Sequence, residues 1–250
     1  MQFDIVIPLG PNDINFINKS LEYNKKNIIN YRNIYIITNT KLVKDKSIFD
    51  GCIIIDENDF PFNLNIIKKY LGDNDRCGWY LQQLLKLYAG FVIPTILDNY
   101  LVIDSDTIFL KPTSFFENDI PLYNFGTEYH LPYFIHMINL HPSFSKVNNM
   151  SGICHHSMFQ KYILKELFDT IEKFHKNKKF YEIFLDSIEK KEILGSGASE
   201  YEIYFNFLLK NFPNKYKIRE LSWQNVSNIN FNLNNTNLDY ISCHWYMRNF

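Results

Sequence analysis

Phe3-Asp4-Ile5-Val6-Ile7-Pro8-Leu9-Gly10 is a β-branched run that stops at Pro and Gly, the pattern of a buried strand opening into a loop. Asn33 to Thr38 and Cys52 to Ile55 repeat it. Between the first two runs, residues 15 to 30 set Phe16, Ile17, Leu21, Ile28 and Ile29 among polar side chains, which we read as a crossover helix. This β-α-β alternation implies an α/β fold with a mostly parallel sheet flanked by helices. Ligands on such sheets collect outside the carboxyl ends of the strands.

Further on, Gly78 to Gly90 reads as a helix with Leu81, Leu84, Leu85 and Tyr88 facing the core and Trp79, Gln83 and Lys86 on its other face. Tyr100-Leu101-Val102-Ile103 is a strand that stops at Asp104-Ser105-Asp106, and Thr107 to Pro112 resumes an extended pattern. We expect a strand over Pro121 to Tyr129, a long amphipathic helix over Met158 to His175, another helix over Ser199 to Asn211, and a last strand over Tyr240 to His244. Neither an internal repeat nor a low-complexity linker interrupts the pattern, so residues 1–250 read as one domain.

With 250 residues, 46% of them apolar and 21% charged, the chain can bury a sizeable core, which excludes intrinsic disorder. A net charge of -1 gives no broad positive field for a nucleic-acid backbone or an anionic membrane, so nucleic acid is not an expected partner. The apolar runs are shorter than the roughly 18 residues that cross a bilayer, and the first residues lack a signal-peptide layout. A cytoplasmic protein without a transmembrane segment is the expectation. Cys52, Cys77, Cys154 and Cys243 contain no Cys-x-x-Cys pair and read as free thiols.

Asp104 and Asp106, two residues apart on an extended chain, would point the same way and share one ion. Like charges at the lip of a sheet call for a cation, and paired carboxylates suit Mg²⁺ or Mn²⁺, which also bind diphosphate oxygens. The plainer reading is a turn in which Asp makes local hydrogen bonds. Two chemistries place D-x-D after an apolar strand. A phosphatase that phosphorylates its first Asp has D-x-D-x-T closing the first strand, whereas Ile108 holds the Thr position here and about a hundred residues of β-α-β pattern come first. A nucleotide-sugar transferase, with a nucleotide-binding half ahead of the motif, fits the layout.

Several landmarks then resemble, in order, a glycosyltransferase of the GT-A fold over nearly the whole chain. Phe3 to Gly10, with Pro8, Leu9 and Gly10 at its end, is similar to the strand and loop that hold the base. Arg76 to Lys86, including Gln83, resembles the segment before the metal motif in a poorly characterised subgroup. Asp104-Ser105-Asp106 is similar to the D-x-D motif, and Met150-Ser151-Gly152-Ile153 to the glycine loop that approaches the donor sugar. Ser199-Glu200-Tyr201-Glu202 stands at the acidic helix start, and Cys243-His244-Trp245 resembles the metal-ligand histidine. The resemblance implies residues 1–110 as the nucleotide-binding half, residues 111–250 as the acceptor-binding half, and a Mn²⁺ or Mg²⁺ site made by Asp104, Asp106 and His244. It also implies a nucleoside diphosphate sugar, UDP-sugar first, as donor to a hydroxyl on a glycan, protein or small molecule.

The remaining residues carry two readings each. His244 completes a metal site or packs at a strand end. Glu202 has a structural task, since Ser199 and Glu202 spell a capping box; Glu200 is left as the general base of an inverting transfer, or as a carboxylate placed for the helix dipole. Arg76 and Lys86 meet phosphate or acceptor, or Lys86 lies on a solvated face. Asp56 takes ribose hydroxyls or a base N–H, or forms a turn. Arg248 reaches the diphosphate if the tail folds over it. A zinc site from Cys154, His155, His156, Cys243 and His244 lacks the spacing, and one of the adjacent histidines, taken as His156, is expected in the sugar pocket. A retaining transferase and a nucleotide-sugar binder without turnover remain alternatives, with the phosphatase behind both.

Overall fold

A computed structural model of the chain describes residues 1–176, 178–227 and 236–248. β1 (Phe3–Leu9) is followed by α1 (Ile17–Asn27), β2 (Tyr31–Thr38), β3 (Cys52–Asp56), α2 (Leu64–Leu71), α3 (Cys77–Val92), β4 (Asn99–Ile103) and β5 (Thr107–Phe109). Then come β6 (Phe116–Glu117), β7 (Ile120–Tyr123), α4 (Leu131–Leu140), β8 (His156–Gln160), α5 (Lys161–Phe174) and α6 (Phe180–Asp186). The last elements are α7 (Glu200–Asn211), β9 (Lys217–Ile218), β10 (Trp223–Asn225) and β11 (Tyr240–Ser242).

The central sheet runs β3-β2-β1-β4-β8, parallel except for β8, which pairs antiparallel with β4. Every residue of β1 is buried, as expected of a parallel strand covered by helices on both faces. Asp4 is the polar exception. Its carboxylate accepts from the Arg32 guanidinium at 2.6 and 3.0 Å and from the backbone N–H groups of Asn33 and Leu97, so the buried charge is fully paired. Two three-stranded sheets flank this layer, β10-β11-β5 and β6-β7-β9. Because β5 pairs antiparallel with β11, the segment after β11 is brought beside the residues that follow β4.

Four expectations are corrected. Residues 156–160 extend the sheet instead of starting a helix, because they register with β4 from Ile103↔His156 to Asn99↔Gln160; α5 starts at Lys161. The strand expected over Pro121 to Tyr129 stops at Tyr123, and Gly126 forms only an isolated bridge to Ser151. α1 ends at Asn27, and Asn30 turns the chain with φ 66°. The outer face assigned to α3 is not solvated, since Gln83 and Lys86 are buried under α7 and the loop before it. Among the described residues no helix is long and apolar enough to cross a membrane.

His136, fully buried in α4, donates from Nε2 to the Phe184 carbonyl at 2.8 Å, leaving Nδ1 without a partner. Burial pushes its pKa from 6.5 down to about 4. A folded-state pKa below the unfolded one means stability is whole above about pH 6.5 and is lost as pH falls through about 4. The loss is on the order of 3 kcal/mol. Urea unfolding at pH 7, 5.5 and 4.5 should show His136→Gln losing less over this range than the parent; parallel curves would contradict it.

Candidate active site

The carboxyl ends of β1 and β4 lie side by side, and the site is built on the turn that leaves β4. Thr107 N donates to the Asp104 carbonyl at 3.0 Å, so Asp104-Ser105-Asp106 is a turn and not the extended pair expected. Each carboxylate is met by an imidazole. His155 Nδ1 lies 3.3 Å from Asp104 Oδ2 and His244 Nδ1 3.0 Å from Asp106 Oδ2, with the imidazole rings 4.7 Å apart. Asp106 Oδ1 accepts from Ser242 Oγ at 2.8 Å. Burial lowers the His244 pKa, but Asp106 and then Asp104 outweigh it and raise it above the ordinary value.

Asp104 Oδ1 faces the protein interior. It accepts from Lys86 Nζ at 2.5 Å and from Tyr201 OH at 2.9 Å. Lys86 is 1% exposed, lies 4.4 Å from the centre of the Tyr201 ring, and also donates to Glu200 Oε1 at 2.5 Å. One ammonium thus serves two carboxylates in a dry environment. For Lys86, desolvation opposes the charge, but the two carboxylates outweigh it and raise its pKa. Burial also raises Asp104, yet Lys86 and His155 hold its carboxyl below the usual carboxylate range. Glu200, 3% exposed, is raised by burial, with Asp104 adding to the effect and Lys86 opposing it.

The helix start that carries Glu200 is held from three sides. Ser199 Oγ accepts from Glu202 N, half of the expected capping box. The other half is absent, because the Glu202 carboxylate accepts from Ser151 Oγ and Asn206 Nδ2 instead. Gln83 Oε1 accepts from Glu200 N at 3.1 Å, satisfying a free N–H of the first turn. Gly152 has a steric reason to be glycine: an added Cβ would meet the Tyr201 carbonyl at 2.5 Å and Phe205 Cβ at 2.6 Å.

Other expected residues fall at varied distances from this centre. Ser105 donates to Asp13 Oδ2 at 2.6 Å, and Arg248 donates to Asp13 Oδ1 at 2.6 Å, so the loop after β1 ties the acidic turn to the C-terminal segment. Asp13 carried no signal in the sequence beyond its place in the loop after the first strand. Arg248 also donates to the carbonyls of Cys243 and Asn12. Pro8 and Leu9 end β1, and Gly10 has open space where a side chain would stand. Arg76 packs over Trp79 and donates to the Gly195 carbonyl and Ser196 Oγ, fastening the loop that leads into α7. Asp56 caps its own turn, accepting from Asn58 N and Thr40 Oγ1.

The histidine expectation is corrected. His156 is in the core, donating from Nδ1 to the Cys154 carbonyl, with its ring against Phe109, Phe115 and Tyr240; burial drives its pKa down to about 3. His155 is the one beside the acidic turn.

Hard carboxylate oxygens with an imidazole nitrogen suit a divalent cation such as Mn²⁺. The pairing of Asp106 Oδ2 with His244 Nδ1 brings two such donors to one place. Among the described residues no three His, Cys, Asp or Glu side chains are preassembled around a single point. Asp106 and His244 fit such a cation in chemistry and in proximity, and Asp104, two residues before Asp106, stands beside them with His155 at its Oδ2.

Comparisons with known proteins bear on the fold. Residues 23–124 match a family model described as "Family of unknown function (DUF6492)". No curated protein sequence matches the chain. Among solved structures, the apo form of mouse xyloside xylosyltransferase 1 superposes with a TM-score of 0.52 at 7% identity, covering 100% of both chains. At that identity the likeness is one of architecture, and the chain has a glycosyltransferase-like α/β fold.

Proposed function

We propose that this protein is a glycosyltransferase that moves a sugar from a nucleoside diphosphate, UDP in the first instance, to a hydroxyl of a glycan, protein or small-molecule acceptor. The observation that carries the reading is the pairing of Asp106, two residues after Asp104 at the carboxyl lip of the central sheet, with His244, 138 residues further along the chain. Parallel sheets bind ligands at that lip. Asp104, Asp106 and His244 would hold Mn²⁺ or Mg²⁺, which when bound neutralises charge on a departing diphosphate. Arg248, anchored beside Asp106 through Asp13, supplies a guanidinium for the same anion. In this reading residues 1–110 hold the nucleotide, with Pro8, Leu9, Gly10 and Asp56 along the strand ends.

Glu200 supports two assignments. As the general base of an inverting transfer it would take the acceptor proton. Its ion pair with buried Lys86 favours a second role, orienting Lys86 and Asp104 beside the donor sugar, which is compatible with retention of configuration. Glu200→Gln separates them. Loss of transfer by about 100-fold or more with donor binding unchanged supports the base; a matching loss of donor affinity supports the orienting role. NMR of the first product anomer gives the stereochemistry directly.

The function itself is tested by incubating the protein with UDP-sugars and Mn²⁺ and measuring UDP release, with EDTA as control. Metal-dependent release above the uncatalysed rate supports a transferase. Binding without release makes the protein a nucleotide-sugar binder, and neither binding nor release rejects the reading.

A further inference from the structure

His155 is held in a manner that packing does not explain. It adopts φ 63°, a left-handed conformation that few residues other than glycine take. Its side chain is nine-tenths buried, with the Trp223 ring 5.0 Å away and the His244 ring 4.7 Å away. Its Nε2 is buried without a hydrogen-bond partner, an arrangement that buried polar atoms rarely show.

What His155 does have is a double hold on Asp104. Its carbonyl accepts from Asp104 N at 2.9 Å, and its Nδ1–H points to Asp104 Oδ2 at 3.3 Å. Lys86 and Tyr201 restrain the opposite oxygen, so His155 is the contact on the Oδ2 side, and its ring lies 4.7 Å from that of His244. Carboxylate ligands are commonly oriented by such an outer donor.

We propose that His155 is a positioning residue that presets the Asp104 carboxylate for a divalent cation. The inference rests on the cation site of the proposed function. Its side chain can be removed without disturbing the backbone, because glycine adopts φ 63° freely and asparagine tolerates it, and the carbonyl that holds Asp104 N is kept in both.

The test titrates Mn²⁺ into the 250-residue parent, His155→Gly and His155→Asn with saturating UDP, reading free Mn²⁺ by electron paramagnetic resonance and Tm by calorimetry. The expected result is a Kd for Mn²⁺ raised about tenfold or more in His155→Gly, a smaller rise in His155→Asn, whose amide can still donate to Oδ2, and a Tm lowered in both by the space left beside Trp223 and His244 while each stays folded at the titration temperature. His155→Gly binding within threefold of the parent overturns the proposal. So does a loss of affinity that His155→Asn does not lessen. A parent that binds no Mn²⁺ strikes the proposed function itself, a separate result from equal binding by all three proteins.

Discussion

Lys86→Met is expected to destabilise the fold by about 3 to 5 kcal/mol, the usual cost of removing one partner from a buried charge cluster. Lys86 Nζ is the shared donor to Asp104 Oδ1 and Glu200 Oε1, and methionine fills the same space without a charge. Glu200 would then lie in a dry interior, and the half-buried Asp104 would have only Tyr201 and His155 left as donors. At roughly 2 to 4 °C per kcal/mol for a chain near this size, Tm should fall by roughly 10 °C. The deficit should shrink towards pH 5. Without the ammonium, the folded-state pKa of the buried Glu200 lies further above its unfolded value, so the penalty is present above the unfolded pKa and relieved as the carboxyl takes up a proton. Adding Glu200→Gln to Lys86→Met should recover part of the loss. Chemical denaturation showing less than about 1 kcal/mol lost would mean that the cluster is not held as described.

Asp106→Asn addresses chemistry and not folding. The amide keeps the shape of the side chain and can still accept from Ser242 Oγ, so only the contact with His244 Nδ1 is compromised. Stability should change by no more than about 2 kcal/mol. UDP release should fall on the order of 100- to 1000-fold, because stabilisation of a developing anion by a bound cation is worth several kcal/mol and each 1.36 kcal/mol is a factor of ten. Steady-state rates with Mn²⁺ near those of the parent would remove Asp106 from the site.

Much of the scaffold is legible in the sequence. β1 and β2 are β-branched runs bounded by turns, and α1 between them is amphipathic, so the parallel core followed from local pattern. Short or uniformly apolar segments were illegible. α4, Leu-Pro-Tyr-Phe-Ile-His-Met-Ile-Asn-Leu, has too little polar contrast to show a helical period. β8 runs without punctuation into α5, and only its register against β4 makes it a strand.

The same division holds for the site. Asp104 and Asp106 announce themselves because carboxylates interrupt an apolar strand end, and His244 because it follows one. Lys86 reads from the sequence as a contact for phosphate or acceptor or as a solvated lysine, and its pairing shows only when Asp104 and Glu200 arrive from distant parts of the chain. The choice between His155 and His156 turned on a left-handed residue, which no spacing rule reveals.

The most direct measurement is isothermal titration of UDP into the protein with Mn²⁺ and, in parallel, with EDTA. Saturable heat that requires the metal and disappears in Asp106→Asn is the predicted result. UDP binding of equal strength with EDTA, or no heat with UDP or any other nucleoside diphosphate in the presence of Mn²⁺, would contradict the account.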